Sequence, residues 1–561
     1  MIEANVRQPF PRSGSVPAPV SGLSGQALTA GFAAIATLLI VLAFVFLSLD
    51  VPSQMFRSPD ENASFIFTRT LANTGEFSYA ADFLEGDEEN LLHPRGALTK
   101  DDRAVPFNFL GLPILYAPAY KVLGDNLRYI AIPLTALVVV SMASAGSLLA
   151  KERPWVAWLG VLGMTPFMAT YTRPFFNVLP ALAFMSTGAY FLIKYYQSGG
   201  GWKHLLFASV AFGLAAWMRY ELVIFQSLIV VIVTLQCRRA LRPAIVDMAL
   251  YGMVTTVVFL GPLMVVNTVI YGSPLEYGYS LFNEVYFPER VSSGSPIDSV
   301  RAVLLPAYPL DLVLAVKAFA HHVFGVAPLA VIGAGLGVWV VLRENRPSLP
   351  FIFAYGLLGL YVYLYRGAGY SWAADLSVPT LEASVVRYSV PLYLGLYLLA
   401  VHGIGKGLGN GLGNGLPFAC LVMMAVISLT GLARDLDGNP LFIRDRLNEG
   451  TESVETLIAA TESDSIIYTD IYDKVLSTQR NVATWWGGSL SYTEGHFKPA
   501  EVAASMNRVS ANRKVYLIVS EEGKVLPPLT KELAGFNLTL RPSGISRLYA
   551  LDQLAGAAGA P

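Results

Sequence analysis

Long apolar runs alternate with short polar breaks over most of the chain. The runs fall at 28–49, 128–150, 155–171, 177–196, 205–218, 221–236, 246–270, 318–342, 349–366, 388–404 and 416–433. Each is near the ~20 residues a helix needs to cross bilayer hydrocarbon, which predicts about eleven spanning helices. The run at 205–218 is short, which points to a tilted helix or a locally thinned bilayer. After residue 433 the pattern changes. "SIIYTD" (465–470), "KVYLIVSE" (514–521) and "SRLYALD" (546–552) read as short strands, and 451–461 and 499–508 as amphipathic helices. This alternation predicts a small α/β domain over 434–555, with a disordered end at 556–561.

Composition supports a polytopic α-helical membrane protein. Hydrophobic residues make up 54% of the 561 positions and charged residues 14%, against about a quarter charged in soluble domains. The mean hydropathy is +0.50. The net charge of −1 favours no partner, and no basic block with interleaved aromatics marks a nucleic-acid surface. Cys237 and Cys420 lie in or beside apolar runs without CxxC spacing and read as packed thiols. Residues 1–27 read as a polar cytoplasmic tail ahead of a retained first span, whose run is longer than the ~7–15 residues of a signal core.

The basic residues set the orientation. With the N-terminus inside, the cytoplasmic loops carry Lys151/Arg153, Lys194/Lys203, Arg238/Arg239/Arg242, Arg343/Arg346 and Lys406. Loops 51–127, 271–317 and 367–387, and everything after 434, then lie outside. The Gly-Asn repeat at 403–416 lacks the strand, helix and Lys-Ser/Thr of a phosphate loop and reads as a flexible connector.

The candidate chemistry gathers on the outer face. In "FRSPDENASFIF" (56–67), Ser58 caps a helix with Pro59 at its first position, and Asp60 and Glu61 follow in the first turn. A helix start so placed also fixes carboxylates at the membrane mouth. The same loop adds His93, Arg95, Lys100 and Arg103, then an apolar, proline-broken stretch at 105–124 that reads as an interfacial helix. Arg173, Arg219 and Arg387 sit at the outer ends of spans, where arginine is costly unless paired or snorkelling. Guanidinium forks suit phosphate. A carboxylate beside a lipid-linked phosphate can take a proton from an acceptor while the phosphate leaves. That chemistry is sugar transfer from a polyprenyl-phosphate donor. The tryptophans 485 and 486, His496 and the pair His321/His322 read as structural, since no metal set surrounds the histidines.

The order "PDE", "NASFIFTRTLANTGEFS" and "GLPILYAPAYKVLG" after one span, with "NTVIYGSPLEYGY" (267–279) and "VVRYSVPLY" (385–393), resembles the GT-C superfamily of membrane glycosyltransferases. The lipid A aminoarabinose transferases and protein O-mannosyltransferases are the nearest in pattern. The resemblance implies Asp60 as the catalytic acid of the first outer loop and Glu61 as its companion. It places Arg173, Arg219, Arg387, Tyr388 and Arg103 on the donor phosphate, and His93, Arg95, Asn177 and Tyr279 along the substrate groove. Relatives often carry a second acid where this chain has Asn177. No obligatory cofactor is therefore expected, though a divalent cation, Mg or Mn, stays open. The implied partners are a polyprenyl-phosphate sugar, membrane lipid, and a lipid, glycan or protein acceptor. A polysaccharide polymerase or ligase, or a flippase for lipid-linked sugars, remains the alternative; a flippase would carry internal repeats and mid-bilayer charges.

Overall fold

The computed structural model of the chain describes residues 20–49, 56, 58–81, 84, 96–107, 110–163, 173, 175–238, 240–278, 280–281, 317, 328–344, 390–407, 419, 440–470, 472–485, 497–520 and 522–554. His93, Arg95, Tyr279, Arg387, Tyr388, His321, His322, Cys420, Trp486 and His496 lie outside them, as do the expected span at 349–366 and nearly all of that at 416–433.

The first apolar run is helix α1, Val20–Ser48. After it comes α2, Pro59–Thr74, closed by Gly75 in the left-handed conformation (φ 77°). The following loop forms a small antiparallel sheet of β1 (Tyr79–Ala80), β2 (Ala97–Lys100) and β3 (Arg103–Pro106), in the order β1-β3-β2. Asp101 and Asp102 join β2 to β3 with φ of 50° and 56°. Two successive positive φ values match the right-handed twist of a tight hairpin, and Asp tolerates them better than most side chains. The helix expected at 105–124 begins later, as α3, Gly111–Leu123, because 103–106 pair as a strand. A 3₁₀ stretch, Gly124–Ile130, carries α3 into α4, Ala131–Leu149.

Next come α5 (Pro154–Leu162), α6 (Val178–Gln197), α7 (Trp202–Met218), α8 (Leu222–Arg238), α9 (Leu241–Thr255) and α10 (Gly261–Tyr271). A π-helical turn, Thr256–Leu260, links the last two. Further along lie α11 (Pro328–Glu344) and α12 (Val390–Gly407). Among the described residues, 29–48, 111–149, 178–197 and 241–271 are long and apolar enough to cross a membrane; 222–238, 331–340 and 390–406 are shorter apolar helices.

The helices meet through small residues. A Cβ on Gly337 of α11 would lie 2.2 Å from the Leu399 carbonyl oxygen of α12, and one on Gly403 of α12 would lie 2.4 Å from the Gly337 nitrogen. Such contact lets dispersion and close packing hold helices together in lipid, where hydrophobic burial gives no drive. Tyr397 threads the same bundle, its hydroxyl donating to the Met142 and Ala157 carbonyls at 3.1 and 2.9 Å. At the other end of α8, Arg238 pairs with the buried Asp247 of α9, which also accepts from the Tyr195 hydroxyl at 2.6 Å. Cys237 beside it is a free thiol.

The segment after α12 contains α13 (Pro440–Ala459) and a five-stranded mixed sheet in the order β5-β4-β6-β8-β7. Its strands are β4 (Ile466–Thr469), β5 (Asn481–Thr484), β6 (Val515–Ile518), β7 (Leu538–Pro542) and β8 (Leu548–Gln553). β4 is parallel to both β5 and β6, while β8 runs antiparallel to β6 and β7. Short α14 (Asp473–Leu476) follows β4, and α15 (Pro499–Ser510) and α16 (Glu522–Ala534) flank β6 in sequence. Every residue of β4 and β6 is buried, the signature of parallel strands covered on both faces.

One apolar cluster joins this sheet to segment 51–127. Ala63, Phe67, Leu84, Ala97 and Ala104 pack with Tyr468, Trp485, Met506 and Leu529. Phe65, on another face of α2, belongs instead to the core of the helical region with Phe175, Tyr116 and Leu112. Helix α2 is thus held between the two bodies.

Candidate functional site

Local sequence makes the start of α2. Ser58 has extended backbone angles (φ −104°, ψ 138°), and its Oγ accepts from the Asp60 N–H at 3.3 Å. The Glu61 carboxylate reaches back to accept the Ser58 N–H at 3.4 Å. This reciprocal cap, with Pro59 beside it, satisfies donors that a helix start leaves open. Both acids sit where the positive end of the helix favours negative charge.

The two carboxylates then differ. Glu61 is buried, 2% exposed. Arg173 holds it in a two-pronged ion pair: Nε donates to Oε1 at 2.8 Å and Nη2 to Oε2. The same Oε2 takes the Ser58 N–H. The guanidinium lies over the Phe176 ring, 4.8 Å from its centroid. Phe56, Phe65 and Phe175 stack in a mutual cluster nearby, with centroids 5.1–5.3 Å apart. Breaking one side of such a dry pair costs about 3–5 kcal/mol, because a buried charge is left uncompensated. Asp60, one residue earlier, is half-buried rather than enclosed.

The Arg219 turn meets the same region. Arg219 follows α7 in an extended conformation (φ −151°, ψ 103°). Its Nε and Nη2 both donate to Glu221 Oε1, at 2.8 and 2.6 Å, and both residues are buried. Asn177, just before α6, donates from Nδ2 to the Met218 carbonyl at 3.1 Å, which ties the turn after Arg173 to the turn before Arg219. Helix α3 begins against the same turn. The Leu110 N–H donates to the Tyr220 hydroxyl at 3.3 Å, and a Cβ on Gly111 would fall 2.1 Å from the Trp217 carbonyl oxygen. Helix α3 packs along α2, and the turns around 173–177 and 217–221 are joined through Asn177.

The structure therefore brings Glu61 to Arg173 and Asn177 to the Arg219 turn. Arg103 goes elsewhere, to β3, where it pairs with Glu76 and donates from Nε to Ser78 Oγ at 2.8 Å. Glu221 was not among the sequence candidates, although a carboxylate two residues after a membrane-mouth arginine is the local signal for its counter-ion. Asn62, buried beside the acid pair, was also overlooked, since nothing local separates it from an ordinary helix residue. Among the described residues no three His, Cys, Asp or Glu side chains gather as a metal set.

No protein-family model matches the chain, and no curated protein does. Solved structures do. The apo form of the Archaeoglobus fulgidus oligosaccharyltransferase superposes with a TM-score of 0.53 at 10% identity, over 93% of this chain and 74% of that one. The same archaeal enzyme tethered to an acceptor peptide containing the NVT sequon gives 0.50 at 10% identity over 92% and 74%. Its complex with an inhibitory peptide and a dolichol-phosphate gives 0.50 at 10% identity over 94% and 74%. At 10% identity the likeness shows the fold alone: a mostly helical chain with several apolar helices and a small sheet domain.

Proposed function

We propose that this chain is a GT-C glycosyltransferase that moves a sugar from a polyprenyl-phosphate donor to an acceptor on the outer side of the membrane, with Asp60 as general base. The observation that carries this reading is the division of labour in the acid pair. Glu61 is buried with both oxygens engaged by Arg173 and Ser58, while Asp60, at the same capped helix start, is half-buried and holds the position that the family resemblance gives to the catalytic acid. The solved structures of like fold include one with dolichol-phosphate, a lipid phosphate of the class proposed here.

The step balances as follows. The acceptor O–H or N–H gives its proton to the Asp60 carboxylate as its lone pair attacks the anomeric carbon. The bond from that carbon to the phosphate oxygen breaks, and the phosphate departs with the electron pair. Arg173, Arg219 and Arg103 each have an internal carboxylate partner. With Arg387 and Tyr388 they are the residues proposed to hold the donor phosphate, the carboxylate partners setting the direction of each guanidinium. Asn177, which also ties the two turns together, is proposed with His93, Arg95 and Tyr279 as a groove residue.

The test is purified protein in lipid discs with a panel of labelled polyprenyl-phosphate sugars, scored by consumption of donor. The reading expects turnover of at least one donor and none by Asp60→Asn. A panel left wholly untouched, or an Asp60→Asn variant that turns over normally, would overturn it.

A further inference from the structure

The domain after α12 meets the start of α2 at Asn62. Asn62 follows Glu61 directly and is fully buried. Its Nδ2 donates to the Asp473 backbone carbonyl at 3.3 Å and to Ser477 Oγ. Ser477 Oγ in turn donates to that same carbonyl at 2.6 Å, so amide, hydroxyl and carbonyl close a compact triangle around α14. Two turns further along α2, Arg69 donates to the Thr478 carbonyl at 2.9 Å. Between them Ala63 and Phe67 enter the core of the sheet domain. The membrane-side grip comes from Glu61 and Phe65, four residues apart and so on one face of the helix. A helix gripped on two faces has little freedom to roll or slide, and rolling is the motion that would carry Asp60 away from its working position.

We propose that the sheet domain completes the active site by fixing the rotation of α2, with Asn62 as the positioning residue for Asp60 and Ser477 as its anchor. The proposal rests on the glycosyltransferase reading for its catalytic consequence but not for its structural one. Neither Asn62 nor Ser477 touches the reacting atoms; both act through the helix. A misplacement of the base near 1 Å is worth up to about 100-fold in rate.

Two measurements on the full-length protein decide it. In the first, Asn62→Ala and Ser477→Ala each lower kcat roughly 10–100-fold with the donor KM unchanged. The double variant falls no further than either single one, because the two side chains form one contact. Ser477→Thr, which keeps the hydroxyl, retains turnover. A purely structural role would reduce the folded fraction without changing kcat per folded molecule, and that result overturns the proposal. The second measurement needs no activity. Spin labels at Asn73 on α2 and Asn126 beyond α3, both exposed, should report a narrow distance distribution in the otherwise unaltered protein and a broad or shifted one in Asn62→Ala and in Ser477→Ala. An unchanged distribution in both refutes the positioning role. If the parent protein consumes no donor yet the distribution broadens, the catalytic reading fails and the clamp on α2 stands.

Discussion

Asp60 and Glu61 are chemically alike and adjacent, yet their surroundings set them different tasks, so their substitutions should separate. Asp60→Asn keeps the shape of the cap but accepts no proton. Turnover should fall by about 10²–10⁴-fold with the melting temperature nearly unchanged, as a donor-consumption assay and a thermal scan on one sample can check. Glu61→Gln removes the buried partner of a partly exposed Arg173, and stability should drop by up to about 3–5 kcal/mol, visible as a lower melting temperature even without substrate. A second carboxylate supplies a pH prediction. The hydrogen bonds from Lys514 and then Tyr516 pull Glu462 down to about 2. A carboxylate lowered on folding contributes stability that is complete above its unfolded value near ~4.3 and is lost as pH falls through the folded one. The stability advantage of the natural protein over Glu462→Gln should therefore be full at pH 6 and shrink between about pH 4 and pH 2; an advantage that persists undiminished to pH 2 contradicts this. The residues of the cap were legible in the sequence because Ser58, Pro59 and Glu61 act over three positions. The partners Arg173 and Asp473 were not, because they lie 112 and 411 residues away and pattern alone gives only the face of the membrane.

Elements show the same division between local and distant causes. The helices α1, α4, α6, α8 and α12 fall where apolar runs of spanning length place them, and β4, β6 and β8 where β-branched and aromatic residues cluster. Strand β5 escaped notice because "NVAT" is four residues long, and its pairing with β4 supplies what its own sequence lacks. Helix α16 escaped because Pro527 and Pro528 lie inside it, against the usual breaking effect of proline. The hairpin at Asp101 and Asp102 was read as loop, since Asp-Asp is a weaker signal there than Asn-Gly. Helix contacts give a test at this scale. Gly111→Ala would drive a Cβ into the Trp217 carbonyl, backbone that cannot rotate aside. It should cost about 1–3 kcal/mol and reduce kcat, because α3 packs along α2. Gly337→Ala, far along the chain between α11 and α12, should cost a similar amount of stability while leaving kcat per folded molecule intact. Equal effects of the two on kcat would mean that α3 does not support the site.

At the level of the whole molecule, the orientation remains the boldest claim of the sequence: the outer loop and the sheet domain on one side, opposite the Lys and Arg loops. Their shared core requires at least that the loop and the sheet lie together. A single cysteine at exposed Ser463, in a chain with Cys237 and Cys420 replaced, should react with an impermeant maleimide in intact cells; reaction only after permeabilisation would reverse the orientation. The shared core also has a consequence in time. Asn62 and the carbonyl it grips are separated by 411 positions, and at 5–20 residues per second a ribosome needs roughly 20–80 s to travel between them. Arg173 emerges much sooner, so Glu61 meets its counter-ion while the sheet is still unmade. Through that interval Ala63 and Phe67 have Leu84, Ala97 and Ala104 to pack against but lack the sheet-domain members of their cluster. The newborn protein thus passes through a stage in which α2 is electrically settled but mechanically loose, and its final seating is timed by the arrival of the sheet domain.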